Sequence, residues 1–167
     1  MLKRGFTLIE LLIVVTVMTT LFSVGYANYR GYTRKQQFLG ALRTLEGDIR
    51  LTQTMASSGS KASCVILKGY RFKIDTGMKS YFVIPVCEGA DGIGVEAAAV
   101  KEVVLSDAVA LMTVNGSVED GILFFVLGRG TDLILDTPLE IILTQAGTAK
   151  IATMTVSAGG EISYVIE

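Results

Sequence analysis

The sequence has no histidine, no tryptophan and only two cysteines among its 167 residues. The missing histidine excludes Ser-His-Asp triads and metal sites built on imidazole. Two cysteines without histidine are also too few for the four ligands of a structural zinc site. We therefore expect no catalytic residue, no metal site and no cofactor, and the chain is predicted not to be an enzyme.

Two further patterns contain residue types that ligand sites use. The glycines of residues 89–94 have the wrong spacing for a dinucleotide-binding fingerprint, and no helix signal follows them, so they are predicted to form a loop. Asp132 and Asp136 could offer oxygen atoms to calcium, but single carboxylates in turns are mostly solvated. Neither pattern changes the expectation of a chain without cofactors.

Positive charge is scarce in the second part of the chain. Residues 61–167 carry eight Lys and Arg against thirteen Asp and Glu, a net charge of −5, whereas residues 28–60 carry five against two, a net charge of +3. Residues 157–167 contain no Lys or Arg. Phosphate binding needs cations that release condensed counterions, so a nucleic-acid partner is disfavoured.

A long hydrophobic run follows Lys3 and Arg4. Within residues 6–24 the only ionisable side chain is Glu10, and the other polar side chains are hydroxyls that can bond back to helix carbonyls. Nineteen residues in a helix cover roughly 28 Å, close to the thickness of a bilayer's hydrocarbon core. Residues 6–25 are therefore predicted to span a membrane. A carboxylate there is costly, so Glu10 is expected to have a cationic partner from outside its own segment.

The residues Gly5-Phe6-Thr7-Leu8-Ile9-Glu10-Leu11-Leu12 resemble the class III signal of type IV prepilins and pseudopilins. The resemblance implies that prepilin peptidase removes a leader of residues 1–5 by cutting after Gly5, and that the new terminal residue, Phe6, is N-methylated. It also implies that Glu10 neutralises the terminal amine of a neighbouring subunit. A plain signal anchor with a stray acid is the alternative.

The same resemblance implies partners and a location. The partners are prepilin peptidase, other pilins or pseudopilins in a helical filament, an inner-membrane assembly platform and membrane lipid. The precursor is expected as a single-pass protein of the inner (cytoplasmic) membrane with its head outside the cytoplasm. The assembled subunit is then expected in a filament in the periplasm or at the cell surface.

One continuous helix is predicted over residues 6–59. Its second half has an apolar stripe with spacings of three and four, which is typical of a helix that packs on a core: Phe38, Leu42, Leu45, Ile49, Thr52 and Ala56. Arg43, Asp48 and Arg50 are assigned to the opposite, solvent-facing side. Bending or local melting is expected near Gly25 and Gly31, because glycine weakens helices. Many pilins have a proline where this chain has Ala27, so no proline kink is expected.

Residues 60–167 are predicted to form a β-rich head, because short runs of β-branched and aromatic residues alternate there with turn residues. The predicted strands cover residues 62–67, 70–75, 80–87, 101–105, 109–114, 121–127, 139–144, 150–157 and 162–166. Turns are expected at pairs such as Lys68-Gly69. The fold class is thus α+β and pilin-like, with a long N-terminal helix packed on an antiparallel β-sheet head.

Cys64 and Cys87 both fall in the head, which the resemblance places in an oxidising compartment. Two states are compatible with the sequence: a disulfide, which would contribute roughly 3 kcal/mol, or two buried free thiols. The register of the predicted strands does not decide between them.

Residues 139–144, 151–157 and 159–162, together with the helix end at residues 48–53, resemble the GspH/FimT-like group of minor pseudopilins and minor pilins. This resemblance implies two β-sheets beside the helix, a final hairpin, and a role in a type II secretion or type IV pilus filament. A major pilin with an unusual head is the main alternative in the same family. A DNA-uptake minor pilin and a signal-anchored extracytoplasmic binding domain are alternatives from other classes.

Overall fold

The computed structural model describes residues 7–61, 64–115, 121–133 and 137–167. The chain divides into two compact units, of which the first ends at Gln36 and the second runs from Gln37 to Glu167. Helix α1 (Leu8–Ser58) contributes residues to both units, and the strands belong to the second. The predicted leader, residues 1–5, and Phe6 lie outside the described residues.

Local hydrogen bonds explain where α1 begins and ends. At the start, the Glu10 N–H donates to the Thr7 carbonyl at 3.2 Å and to the Thr7 hydroxyl at 3.4 Å, which makes Thr7 the N-cap. At the end, the N–H groups of Gly59 and Ser60 donate to the carbonyls of Ala56 and Met55, and Gly59 has a φ of 63°. This left-handed terminus favours glycine.

Helix α1 runs unbroken through Gly25 and Gly31, so the expectation of local melting at these glycines is wrong. Within the stretches that the structure describes, no helix combines the length and the apolar character needed to cross a membrane.

In the described part of the second unit, nine strands form two antiparallel sheets. In chain order they are β1 (Leu67–Asp75), β2 (Ser80–Glu88), β3 (Gly94–Glu96), β4 (Lys101–Val104), β5 (Val109–Asn115), β6 (Gly121–Phe125), β7 (Leu139–Gln145), β8 (Ile151–Val156) and β9 (Ile162–Ile166). The first sheet has the order β3-β2-β1-β6, and β4 pairs with another part of β2. The second sheet has the order β5-β7-β8-β9. The predicted α+β fold with a long helix and an antiparallel head is confirmed.

The apolar stripe of α1 packs against both sheets in a single core. Phe38, Leu42, Leu45 and Ile49 are buried together with aromatic residues of the first sheet and aliphatic residues of the second. The stripe that the spacing predicted is thus confirmed residue by residue, since Thr52 and Ala56 are buried as well.

The sequence-based assignment is wrong at the entrance to the first sheet. The part of the predicted strand 62–67 that the structure describes is irregular up to Ile66, and β1 begins only at Leu67. The predicted turn at Lys68-Gly69 lies inside β1, with a register irregularity between Leu67 and Gly69. Gly69 is needed there because a Cβ atom would collide with the Phe124 carbonyl oxygen of the neighbouring strand.

Two smaller differences concern strand number and length. Strand β3 was not predicted; it has three residues, too few for a visible alternation, and pairs with Val86, Cys87 and Glu88 of β2. The predicted strand 121–127 ends at Phe125, because residues Val126–Gly128 form a short 3₁₀ turn.

Candidate assembly site

Glu10 lies in the first turn of α1 and is exposed. Its position three residues after the N-cap Thr7 matches the capping-box spacing, which favours a carboxylate near the positive end of the helix dipole. Among the described residues, none of the ion pairs includes Glu10. Its carboxylate is therefore available to a group supplied from outside the described part of the chain.

The helix surface around Glu10 is apolar on all sides and exposed. Leu8, Leu11, Val15, Leu21 and Phe22 each expose more than half of their surface. A helix that is hydrophobic all round is normally buried by neighbours. This part of α1 is therefore suited to an apolar surrounding.

The threonine hydroxyls in this run are satisfied within the helix. Thr16 donates to the carbonyls of Leu12 at 3.0 Å and Ile13 at 2.8 Å, and Thr20 donates to the Val17 carbonyl at 2.8 Å. Thr19 likewise donates to the Val15 carbonyl. The hydrogen bonds from hydroxyls to helix carbonyls that the sequence predicts are thus confirmed. These hydroxyls need no water as a hydrogen-bond partner.

Tyrosine and arginine residues follow the apolar run. Tyr26, Tyr29 and Tyr32 are exposed, and the Arg30 guanidinium carbon lies 5.7 Å from the centre of the Tyr26 ring, one helical turn away. This cation–π geometry holds the charge of Arg30 close to an aromatic face. It fits a helix surface that passes from an apolar to a wet surrounding.

A second polar cluster lies where α1 meets the first sheet. Asp48 is buried; its Oδ1 accepts a hydrogen bond from Lys101 Nζ of β4 at 2.6 Å, and its Oδ2 accepts one from the Tyr81 hydroxyl of β2 at 2.8 Å. One carboxylate thus joins the helix to two strands. Burial and the adjacent Asp48 carboxylate raise the pKa of Tyr81 above its ordinary value, so the phenol stays a hydrogen-bond donor.

The assignment of Asp48 to the solvent-facing side of α1 is wrong. The position was readable from the sequence, because Asp48 follows the buried Leu45 by three residues and precedes the buried Thr52 by four. Its partners were not readable, since Tyr81 and Lys101 reach it only through strand pairing far along the chain. Arg50 does lie outward, and it pairs with Glu46 at 2.9 Å.

The two cysteines are brought together at the entrance to the first sheet. Cys64 and Cys87 form a disulfide with their Cα atoms 5.2 Å apart, 23 positions apart in the chain. The bridge attaches the segment that follows α1 to β2.

Among the other residues singled out in the sequence, Gly5, Phe6 and Asp136 lie outside the described residues. The described Asp132 accepts a hydrogen bond from the Leu123 N–H at 2.8 Å and so stabilises a turn.

Comparisons with known proteins found two similarities, one in the N-terminal sequence and one in the fold. Residues 1–26 match the family described as the prokaryotic N-terminal methylation motif. The fold is similar to the solved structure of the minor pseudopilin EpsH from the type 2 secretion system of Vibrio cholerae, with a TM-score of 0.52 and 11% sequence identity. The similarity covers 76% of this chain and 94% of that one. No curated protein matches the sequence. The chain thus carries the N-terminal methylation motif of prokaryotic pilins and has a pseudopilin fold.

Proposed function

We propose that the chain is a minor pseudopilin or pilin, a non-enzymatic subunit of a type II secretion or type IV pilus filament. The observation that carries this proposal is the presence of a methylation motif and a pseudopilin fold in one chain. The precursor is held at the membrane, prepilin peptidase cuts it after Gly5, and Phe6 is N-methylated. The subunit then enters a filament whose other pilins surround the apolar part of α1.

Glu10 is the residue to which we assign the assembly step. Cleavage after Gly5 creates a terminal amine on Phe6, and Glu10 of one subunit pairs with that amine on a neighbour. The exposed carboxylate and the apolar surface around it support this role. A carboxylate and an ammonium group that are each costly in an apolar surrounding become less costly when they are hydrogen-bonded to each other.

The chemical state of the N-terminus tests the proposal directly. The chain is produced with and without an active prepilin peptidase, and the intact mass and N-terminal peptide are measured. We expect a methylated Phe6 only with the peptidase. An intact Met1 in the presence of an active peptidase would overturn the proposal and favour a permanently anchored binding domain.

A matched pair of variants tests the role of Glu10. Glu10→Ala should reduce incorporation into filaments while leaving the disulfide and the folding of the second unit unchanged. Glu46→Ala, the same substitution at a half-buried position of α1 in the second unit, should leave incorporation unchanged. Equal incorporation of Glu10→Ala and the parent chain would refute the pairing. Salt-sensitive binding of duplex DNA by the full chain in detergent micelles would instead favour the DNA-uptake alternative.

A further inference from the structure

An apolar patch with a basic rim lies near the C-terminal end of α1. Two cavities of about 260 and 310 Å³ adjoin each other there and share Leu67 and Val126 in their walls. Three side chains, which we call the Leu127 patch, stand out from this surface: Val65 is 89% exposed, Ile66 56% and Leu127 71%. Exposed apolar groups clustered around cavities mark interaction surfaces more often than scattered ones do.

Leu127 has a backbone conformation that leucine rarely adopts. Its φ and ψ are 59° and 32°, in the left-handed region, and the next residue, Gly128, also has a positive φ of 66°. Folding alone would favour glycine at position 127, because the leucine side chain is exposed and adds little to the core. A strained residue with an exposed apolar side chain is a reason to look for a binding role.

The rest of the Leu127 patch is held in place by covalent and hydrogen bonds. Cys64, adjacent to Val65, is bonded to Cys87 of β2. The Glu88 N–H of the same strand donates to the Ile66 carbonyl at 2.9 Å. Val65 and Ile66 are thus presented on a fixed backbone, so an occupant would not have to order this segment on binding.

The charge around the Leu127 patch is opposite to that of the head as a whole. Lys61 lines one cavity, and Lys68 and Arg129 line the other, with Glu88 as the acidic side chain among the residues that line the two. Residues 61–167 carry a net charge of −5. Charge complementarity therefore favours an occupant with apolar side chains flanked by carboxylates.

Strand β9 of the same chain presents this chemistry. Among the described strands of the second sheet it lies at the edge, paired with β8, and it exposes Tyr164, Val165 and Ile166 by 41%, 61% and 41%. Glu161 and Glu167 flank it, and residues 151–167 contain no Lys or Arg. Antiparallel pairing of β9 with β9 of another copy would set these glutamates against each other, which is unfavourable.

We propose that the Leu127 patch receives residues 161–167 of a second copy of this chain. The patch and the segment are different surfaces of one molecule, so the contact is head-to-tail, and a dimer keeps one free patch on one copy and one free segment on the other. Such contacts propagate into open helical assemblies unless they close into a ring. The inference deepens the proposed filament role and rests on it for its biological meaning.

Photocrosslinking maps the contact in the full, uncleaved chain in detergent micelles. A benzoylphenylalanine is placed at position 65, where the side chain is almost fully exposed, and at position 104 of β4 as a control, where Val104 is 66% exposed and pairs with Ser80 at the other end of β2. We expect a crosslinked dimer from position 65 only, with the crosslink mapped by mass spectrometry to residues 161–167. A crosslink to another region, an equal yield from position 104, or no dimer would overturn the proposal.

Charge reversal and a glycine substitution separate docking from folding. In the position-65 background, Lys68→Glu with Arg129→Glu should reduce the dimer at least tenfold, and mixing with copies that carry Glu161→Lys and Glu167→Lys should restore it. Leu127→Gly should weaken the dimer while the melting temperature stays equal or rises. Unchanged dimer yield in these variants, or no restoration in the mixture, would refute the contact. The assay needs no cleavage, so it can fail while Phe6 methylation succeeds, and the reverse.

Discussion

The Nζ atom of Lys101 lies 2.6 Å from the Oδ1 atom of Asp48, and this ion pair joins α1 to β4. The carboxylate is nearly buried, with 8% of the Asp48 side chain exposed, whereas Lys101 keeps 40% of its side chain in contact with solvent. The second oxygen of Asp48 is held by Tyr81. The helix is thus attached to the first sheet by a charged group that has two partners on two different strands.

Removing the positive charge of Lys101 should show how much this ion pair with the buried Asp48 carboxylate contributes to stability. Lys101→Met leaves Asp48 with the Tyr81 hydroxyl alone, and we expect the free energy of unfolding to fall by about 2 kcal/mol. This is less than for a fully buried pair, because water screens the exposed part of Lys101. Urea denaturation of the full chain in detergent micelles measures the change.

Lys73→Met provides the matched control for that variant. Lys73 Nζ lies 3.4 Å from Glu96, and both side chains are about one-third exposed, so its loss should lower stability by less than about 1 kcal/mol. Adding Asp48→Asn to Lys101→Met should recover part of the loss. Equal effects of Lys101→Met and Lys73→Met would show that Asp48 does not depend on its cation.

Tyr81 should make the protein less stable in alkali. Its pKa is raised in the folded state, whereas an unfolded tyrosine titrates near about 10. Above that pH the unfolded chain releases the Tyr81 proton while the native chain retains it, so the free energy of unfolding falls as pH rises. The contribution is fully present below about pH 10 and is lost as pH rises toward the folded-state pKa.

Tyr81→Phe should remove this alkaline decline, and at neutral pH it should lower stability by about 1–3 kcal/mol because Asp48 loses a donor. Unfolding is followed by circular dichroism as a function of pH for the parent chain and the variant. Tyr164→Phe is the control, since Tyr164 is 41% exposed. Parallel curves for the parent and Tyr81→Phe above pH 10 would contradict the assignment.

Local patterns predicted the helix and most of the strands, because both depend on neighbouring residues. The stripe from Phe38 to Ala56 has a helical period, and the buried side of the helix follows from it. The turn predicted at Lys68-Gly69, which lies inside β1, was wrong for a different reason. Gly69 signals a turn by its own conformational freedom, whereas the structure uses its missing Cβ atom to let the Phe124 carbonyl approach.

Some residues of the candidate site could likewise be found from the sequence and others could not. Glu10 could be found because it is a single carboxylate in an apolar run, a pattern that is visible without knowledge of the fold. The Asp48 cluster and the Leu127 patch could not, because each joins residues from distant elements. The pairing of Tyr81 with Val103 and of Val83 with Lys101 brings Lys101 to Asp48, and no sequence period contains that information.

Opening the disulfide should destabilise the second unit and free the segment before β1. Cys64 and Cys87 are 23 positions apart, and a loop of this length gives a stabilisation of about 3 kcal/mol in the chain-entropy view. We expect a lower melting temperature with reductant and faster tryptic cleavage after Lys61, which is exposed. The Cys64→Ala, Cys87→Ala double variant should match the reduced parent and show no response to reductant. A parent chain insensitive to reductant would exclude a structural role for the bridge.

Gly121 should tolerate no side chain. Its φ is 114°, and a Cβ atom would collide with the Phe72 carbonyl oxygen of the paired strand β1. Because neither backbone can move without breaking the pairing of β6 with β1, Gly121→Ala should lower the free energy of unfolding by about 2 kcal/mol or more. Gly40→Ala is the control of opposite sign: Gly40 is helical, has no atom within 4 Å of the added Cβ, and should gain about 0.5–1 kcal/mol. Both are measured by urea denaturation in micelles, and a Gly121→Ala variant as stable as the parent would show that the β1–β6 pairing can yield.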